Sequence, residues 1–136
     1  MATSALVDAG FLVALLSRRD GNHGWAAEQA SRFPPPWMTC EAVLSETFHL
    51  LGGRGTASVA PLLRRGVLIC SYRFADDPDA VLKLLEKYSQ VPMSFADACL
   101  VRMTEVVNDP TLLTADADFR IYRRHDRQMI PCMLPR

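Results

Sequence analysis

Residues 94–103 read SFADACLVRM, from Ser94 to Met103, and the rest of the chain is placed by reference to them. Pro92 stiffens the approach and Ser94 suits a helix N-cap. Ala96, Cys99, Leu100 and Met103 then recur at i, i+3, i+4 and i+7, which predicts an amphipathic helix with one buried stripe. Asp97 falls in the first turn, at the edge of that stripe and not on the watery face. Ser94 and Asp97 also have the spacing of a capping box, with Asp where Glu or Gln is usual. Capping is therefore one sufficient account of Asp97. A second account depends on three acids elsewhere.

Upstream, Ser4–Ala5–Leu6–Val7 is an apolar run that stops at Asp8, and Gly10 releases the chain into a short helix over Phe11–Leu16. A buried strand, a carboxylate at its end and then a helix is how a parallel α/β sheet begins. An N-cap role would also explain Asp8. Downstream, the apolar run Pro110–Thr114 ends in Ala115–Asp116–Ala117–Asp118–Phe119, again a strand giving way to acid.

Between these landmarks, 17–24 is polar and turn-like. A helix is predicted over Trp25–Phe33, stopped by Pro34, Pro35 and Pro36. Trp37–Thr39 suits a very short strand. Glu41–Leu51 suits a strong helix, with Val43, Leu44, Thr47, Phe48, Leu50 and Leu51 inward and Gly52 and Gly53 ending it. Glu46 lies among these apolar residues, either snorkelling at a boundary or held inward for a purpose. Glu41, in the first turn, is an ordinary dipole-complementing acid. Thr56–Arg65 reads as a helix, Val67–Tyr72 as a strand and Pro78–Tyr88 as a helix whose start is crowded by Asp76, Asp77 and Asp79, for which capping suffices. Met129–Leu134 is expected as a last strand, at an edge because of Pro131.

Strands alternating with helices over 136 residues, without repeat, low-complexity tract or linker, predict one α/β domain spanning 1–136. The economical fold is a three-layer α/β/α sandwich around a mostly parallel sheet. In such sheets ligands bind beyond the C-terminal strand ends where strand order reverses, which is where Asp8 and Asp116 are expected.

Composition narrows the class. Hydrophobic residues make up 49% of the chain and acids balance bases at 15 each, so a uniformly basic nucleic-acid coat is absent while local patches remain open. No signal peptide is expected, since Asp8 interrupts the first apolar run and Arg18 and Arg19 follow it. No run approaches the roughly 20 apolar residues of a membrane span. Cys40, Cys70, Cys99 and Cys132 lack metal spacing and are expected as buried free thiols in a reducing cytoplasm.

Brought together, Asp8, Glu46, Asp97 and Asp116 would repel unless a cation intervened. The only lysines, Lys83 and Lys87, belong to another helix. A hard divalent ion with oxygen ligands, Mg²⁺ or Mn²⁺, is the simplest compensation, and its chemistry suits phosphodiester hydrolysis.

The blocks LVDAGFLVALL around Asp8, VLSETFHLLG around Glu46, SFADACLV around Asp97 and LLTADADF around Asp116 resemble the PIN-domain family. The likeness is strongest to its VapC-type toxins. It runs from about Ala5 to the closing IPCMLP. It implies a metal-dependent endoribonuclease in which Asp8 and Asp97 are the principal ligands of the ion, Asp116 completes the site directly or through water, and Glu46 orients or deprotonates the attacking water. It also implies a supporting role for Asp118, as a neighbour of the ligands or a group for a second ion. Thr114 is a candidate donor to a carboxylate. A small antitoxin protein and a homodimer are the implied partners, with apolar side chains of the early helices as the expected seam and groove.

Arg120, Arg123, Arg124 and Arg127 follow the last acid and are candidate RNA-phosphate contacts, against a merely solvated face. His23 is expected in a loop near Asp8, with substrate contact the minor reading. Trp25 and Trp37 suit core or partner contacts better than base stacking. A response-regulator receiver would need an acidic pair after the first strand and a late lysine, and a haloacid-dehalogenase-type phosphatase a DxD. Asp8–Ala9–Gly10 meets neither requirement. The remaining rival is a PIN-like binding module with weak or no catalysis.

Overall fold

The computed structural model describes residues 3–136. Its frame is a five-stranded parallel sheet of order β3-β2-β1-β4-β7, built from β1 (Ser4–Val7), β2 (Trp37–Thr39), β3 (Leu68–Cys70), β4 (Pro110–Leu113) and β7 (Cys132–Met133). Leu6, Val7, Leu112 and Leu113 on the two central strands are fully buried, as expected where both faces of a parallel sheet are covered. The chain grows outward from β1 through β2 to β3, then returns to the other side of β1 as β4. Strand order therefore reverses between β1 and β4.

The helices are α1 (Ala9–Leu16), α2 (His23–Arg32), α3 (Glu41–Leu51), α4 (Gly55–Arg64), α5 (Pro78–Lys87) and α6 (Phe95–Val106). The first helix packs on α2 and α3, α5 packs on α6, and α3 meets α6. Ala96, Ala98, Cys99, Leu100, Val101 and Met103 of α6 are all buried, so its apolar face is wider than the four-residue stripe implies. The capping box of α6 is complete: the Asp97 amide donates to Ser94 Oγ at 3.0 Å and the Ser94 amide to Asp97 Oδ2 at 3.2 Å. Gly52 closes α3 at φ +61°, a left-handed conformation that a side chain rarely tolerates.

Several expectations are corrected. The last strand is not continuous over Met129–Leu134. Gln128–Met129 (β6) pairs antiparallel with Arg123–Arg124 (β5) as a small hairpin, and only Cys132–Met133 joins the main sheet, parallel to β4. The strand expected over Val67–Tyr72 is confined to Leu68–Cys70. Leu50 is 60% exposed, because α3 buries only the narrow line Val43, Thr47 and Leu51. All four thiols are free, yet Cys70 is exposed and Cys132 half-buried. Asp77 is the N-cap residue of α5 but makes no side-chain cap. Its carboxylate instead accepts from Arg102 Nε at 2.7 Å and the Tyr72 hydroxyl at 2.9 Å, tying α5 to α6. His23 opens α2, and its Nδ1 lies 2.8 Å from the Ala14 carbonyl oxygen. Trp25 and Trp37 both meet the Phe11 ring edge-on, as core residues.

Candidate active site

Beyond the C-terminal ends of β1 and β4, at the switch in strand order, lies a cleft of about 400 Å³ lined by Asp8, Glu46, Asp97 and Asp116. A larger, mainly apolar hollow of about 590 Å³ opens among Phe33–Pro36, Met38 and Ile69, but it contains no acid. The smaller cleft is the one that gathers the four acids. Beside the acids its lining combines the small residues Ala9, Gly10, Ala96, Ala115 and Ala117 with Val43, Leu50 and Leu100.

Each acid is delivered by a different local device. Asp8 follows β1 and caps α1, its Oδ1 accepting from the Phe11 amide at 2.8 Å. Register then matters: Val7 lies opposite Leu113, so the next pair along the strands brings Thr114 beside Asp8. The Thr114 hydroxyl donates to Asp8 Oδ2 and accepts from the Asp116 amide at 3.0 Å. Asp116 caps the 3-10 turn Ala117–Arg120, its Oδ1 accepting from the Asp118 amide at 2.9 Å. Asp97 sits in the first turn of α6. Glu46 projects from the exposed side of α3 into the mouth of the cleft.

The electrostatics follow from this crowding. Burial pushes the Asp8 carboxyl up to about 6, against the Thr114 and Phe11 hydrogen bonds, with the charges of Asp116 and Asp97 adding to the rise. Burial also lifts Asp97, more than its bonds from Ser94 and Tyr122 restrain it. Glu46 is raised by partial burial and by the charge of Asp97. Among the described residues no lysine or arginine pairs with any of the four acids. Such a donor set fits a hard divalent cation. Among the described residues, however, no group of three or more acids, histidines or cysteines converges closely enough to hold a metal ion as it stands.

Asp118 does not line the cleft; its backbone closes the 3-10 turn, its carbonyl accepting from Ile121 at 2.9 Å. The candidate RNA contacts divide. Arg123 turns back on its own segment, with Nη1 donating to the carbonyls of Arg120 and Tyr122 at 2.6 and 3.1 Å. Arg124 donates through Nε to the Thr104 carbonyl at 3.1 Å, satisfying the C-terminal turn of α6. Arg120 is exposed and, among the described residues, its guanidinium has no ion pair or hydrogen bond.

One neighbour of the acids escapes the sequence reading. Tyr122 is fully buried, and its hydroxyl lies 3.2 Å from Asp97 Oδ2 and 3.4 Å from the Pro92 carbonyl. The only sequence signal is general: a buried tyrosine needs a partner for its hydroxyl.

A family model described as PIN domain matches residues 5–124. Among solved structures, the chain is similar to VapC20 of Mycobacterium tuberculosis, described as a sarcin-ricin-loop-cleaving toxin. The two share 27% identity and a TM-score of 0.68 over 80% of this chain and 87% of that one. A search of curated proteins returns no match. With the parallel sheet, the reversal between β1 and β4 and the matched span, the chain belongs to the PIN-domain family and is of the VapC type.

Proposed function

We propose that this protein is a Mg²⁺- or Mn²⁺-dependent endoribonuclease, the toxin of a toxin–antitoxin pair. The observation that carries the reading is the gathering of Asp8, Glu46, Asp97 and Asp116 in one cleft at the strand-order switch, with no lysine or arginine paired to them among the described residues. Asp8, Asp97 and Asp116 would hold the ion. When bound, a divalent cation supplies Lewis-acid stabilisation of charge on the phosphoryl oxygens and lowers the pKa of water.

The chain's own groups supply the rest. Thr114 holds Asp8 by its second oxygen and fixes the Asp116 backbone with the same hydroxyl. The small residues of the lining would leave room for a phosphodiester beside the acids. Glu46, raised by burial and by the charge of Asp97, would orient the attacking water and accept its proton. The water oxygen attacks phosphorus as the bond to the leaving ribose oxygen breaks. Arg120, free of protein partners among the described residues and close in sequence to Asp116, is the candidate grip on a flanking phosphate.

The toxin reading brings a small antitoxin protein, a homodimer and a cytoplasmic setting. Free thiols throughout agree with a reducing compartment, and no helix among the described residues is long and apolar enough to cross a membrane. The likeness to VapC20 makes a sarcin-ricin-type loop the first substrate to try.

The test is cleavage of a labelled sarcin-ricin-type hairpin and of an unrelated structured RNA, with Mg²⁺, with Mn²⁺ and with EDTA. The Asp97→Asn variant runs beside the wild type. Metal-dependent cutting that disappears in the variant is expected. Cutting that survives in EDTA or in the variant would remove the site from the reaction. No cutting of any RNA by metal-loaded wild type would favour a binding module.

A further inference from the structure

We propose that Tyr122 is a positioning residue for the nuclease site, one that sets which oxygen of Asp97 is offered to the cation. This inference rests on the metal-dependent reading above.

Asp97 Oδ2 is engaged by two protein donors, the Ser94 amide at 3.2 Å and the Tyr122 hydroxyl at 3.2 Å. Oδ1 has no protein donor among the described residues, and Asp97 lines the cleft. A carboxylate held by one oxygen from two directions cannot swing freely, so its other oxygen is fixed in place for a ligand. Groups that orient a metal-binding carboxylate in this way set its affinity without touching the ion.

Tyr122 is itself immobilised. Its ring is fully buried and packs edge-on against Phe119 (centroids 5.3 Å apart) and Tyr88 (5.2 Å). Its amide donates to the Asp118 carbonyl at 3.3 Å, closing the 3-10 turn that Asp116 caps. One short segment therefore carries Asp116 to the cleft and reaches across to Asp97 on α6. The hydroxyl makes the two acids a single spatial unit, although 25 residues separate Tyr122 from Asp97.

The test uses the full chain, three single variants and one double variant. Tyr122→Phe keeps the ring and deletes the hydroxyl. Tyr88→Phe is the control: its hydroxyl accepts from the Arg123 amide at 2.9 Å in the same aromatic cluster and does not touch Asp97. The third is Asp97→Asn with and without Tyr122→Phe. Mn²⁺ binding is read by calorimetric titration, with near-ultraviolet circular dichroism reporting the aromatic packing. We expect Tyr122→Phe to weaken Mn²⁺ binding roughly 10- to 100-fold with the aromatic signal kept. Tyr88→Phe stays within about twofold, and Tyr122→Phe adds no further loss on Asp97→Asn, the pattern expected when one residue acts through the other.

Equal weakening by Tyr88→Phe, Mn²⁺ binding within twofold of wild type in Tyr122→Phe, or an undiminished effect on Asp97→Asn would each overturn the proposal. Wild type that binds no Mn²⁺ overturns it as well. Wild type that binds Mn²⁺ but cuts no RNA defeats only the nuclease reading, because the titration still decides the role of Tyr122.

Discussion

The hydroxyl of Thr114 donates to the carboxylate of Asp8 across the adjoining parallel strands β1 and β4. Thr114 is fully buried and accepts at the same time from the Asp116 amide, so one side chain spans two of the cleft's acids. Thr114→Val preserves shape and removes both bonds. The Asp8 carboxyl then rises further, since the lost bond was lowering it. The Asp116 amide loses its acceptor, at a cost of about 1–3 kcal/mol. We expect a lower Tm and metal affinity reduced roughly 10- to 100-fold. Melting curves and Mn²⁺ titrations at pH 7.5 check this, and unchanged metal affinity would rule the bridge out as a device of the site.

The Asp8 carboxyl gives a pH dependence of defined sign. An aspartate in the unfolded chain has a pKa of about 3.8, whereas burial pushes the Asp8 carboxyl in the fold up to about 6. Between those values the folded chain keeps a proton that the unfolded chain has lost. The metal-free protein therefore loses stability from this group as pH rises through the window, by about 3 kcal/mol at most once pH exceeds 6. Asp8→Asn removes the effect. In EDTA the variant should match wild type near pH 4 and melt higher at pH 7.5, and Mn²⁺ should narrow or reverse that difference. A variant that melts no higher than wild type in EDTA at pH 7.5 would contradict the burial argument.

Asp97 combines two roles that the sequence presents as alternatives. It completes the capping box of α6 through Oδ2 and lines the acidic cleft. Asp97→Ala and Asp97→Asn should therefore differ. Alanine loses the cap and lowers stability by about 1 kcal/mol. Asparagine keeps an oxygen acceptor for the Ser94 amide and stays close to the wild-type Tm. Cleavage should fall to background in both. Equal melting temperatures for the two variants would show that the capping bond contributes nothing.

How legible these features are in sequence depends on whether the cause is local. Asp8 and Asp97 stand out because strand end, N-cap spacing and apolar stripe all lie within ten residues of each. The helical face of Leu50 does not, because apolar periodicity leaves the width of a buried stripe open, and α3 buries a narrow one. The β5–β6 hairpin is hidden for a different reason. Its turn is made by His125 and Asp126 at φ +48° and +65°, without the glycine that usually marks such a turn. Tyr122 and Arg124 act on partners 25 and 20 residues away, and nothing in their immediate neighbourhood announces it.

Glu46 offers a separation of activity from stability. It is exposed on α3, makes no ion pair among the described residues and is raised only by partial burial and by Asp97. Glu46→Gln should leave the unfolding free energy within about 0.5 kcal/mol of wild type. Under the proposed nuclease reading, in which it accepts the proton from water, its loss should slow cleavage roughly 100- to 10,000-fold. Single-turnover rates at saturating Mn²⁺ test this, and a rate within threefold of wild type would assign Glu46 to the cleft's charge alone.

The arginines after Asp116 should behave unlike one another despite their proximity. Arg124 satisfies the Thr104 carbonyl at the end of α6, and Gln128 Oε1 lies 3.3 Å from its Nη1. Arg124→Ala strands that carbonyl and should lower stability by about 1–3 kcal/mol, with any loss of RNA binding following the loss of fold. Arg120 is exposed, and its guanidinium has no partner among the described residues. Arg120→Ala should leave Tm unchanged, weaken binding of uncleaved RNA to an Asp97→Asn background and lower the salt dependence by about one phosphate contact. Binding isotherms at several salt concentrations, read beside melting curves, separate the two. If Arg124→Ala keeps its Tm and changes the salt slope, the guanidinium leaves Thr104 for the RNA, and the α6 terminus manages without it.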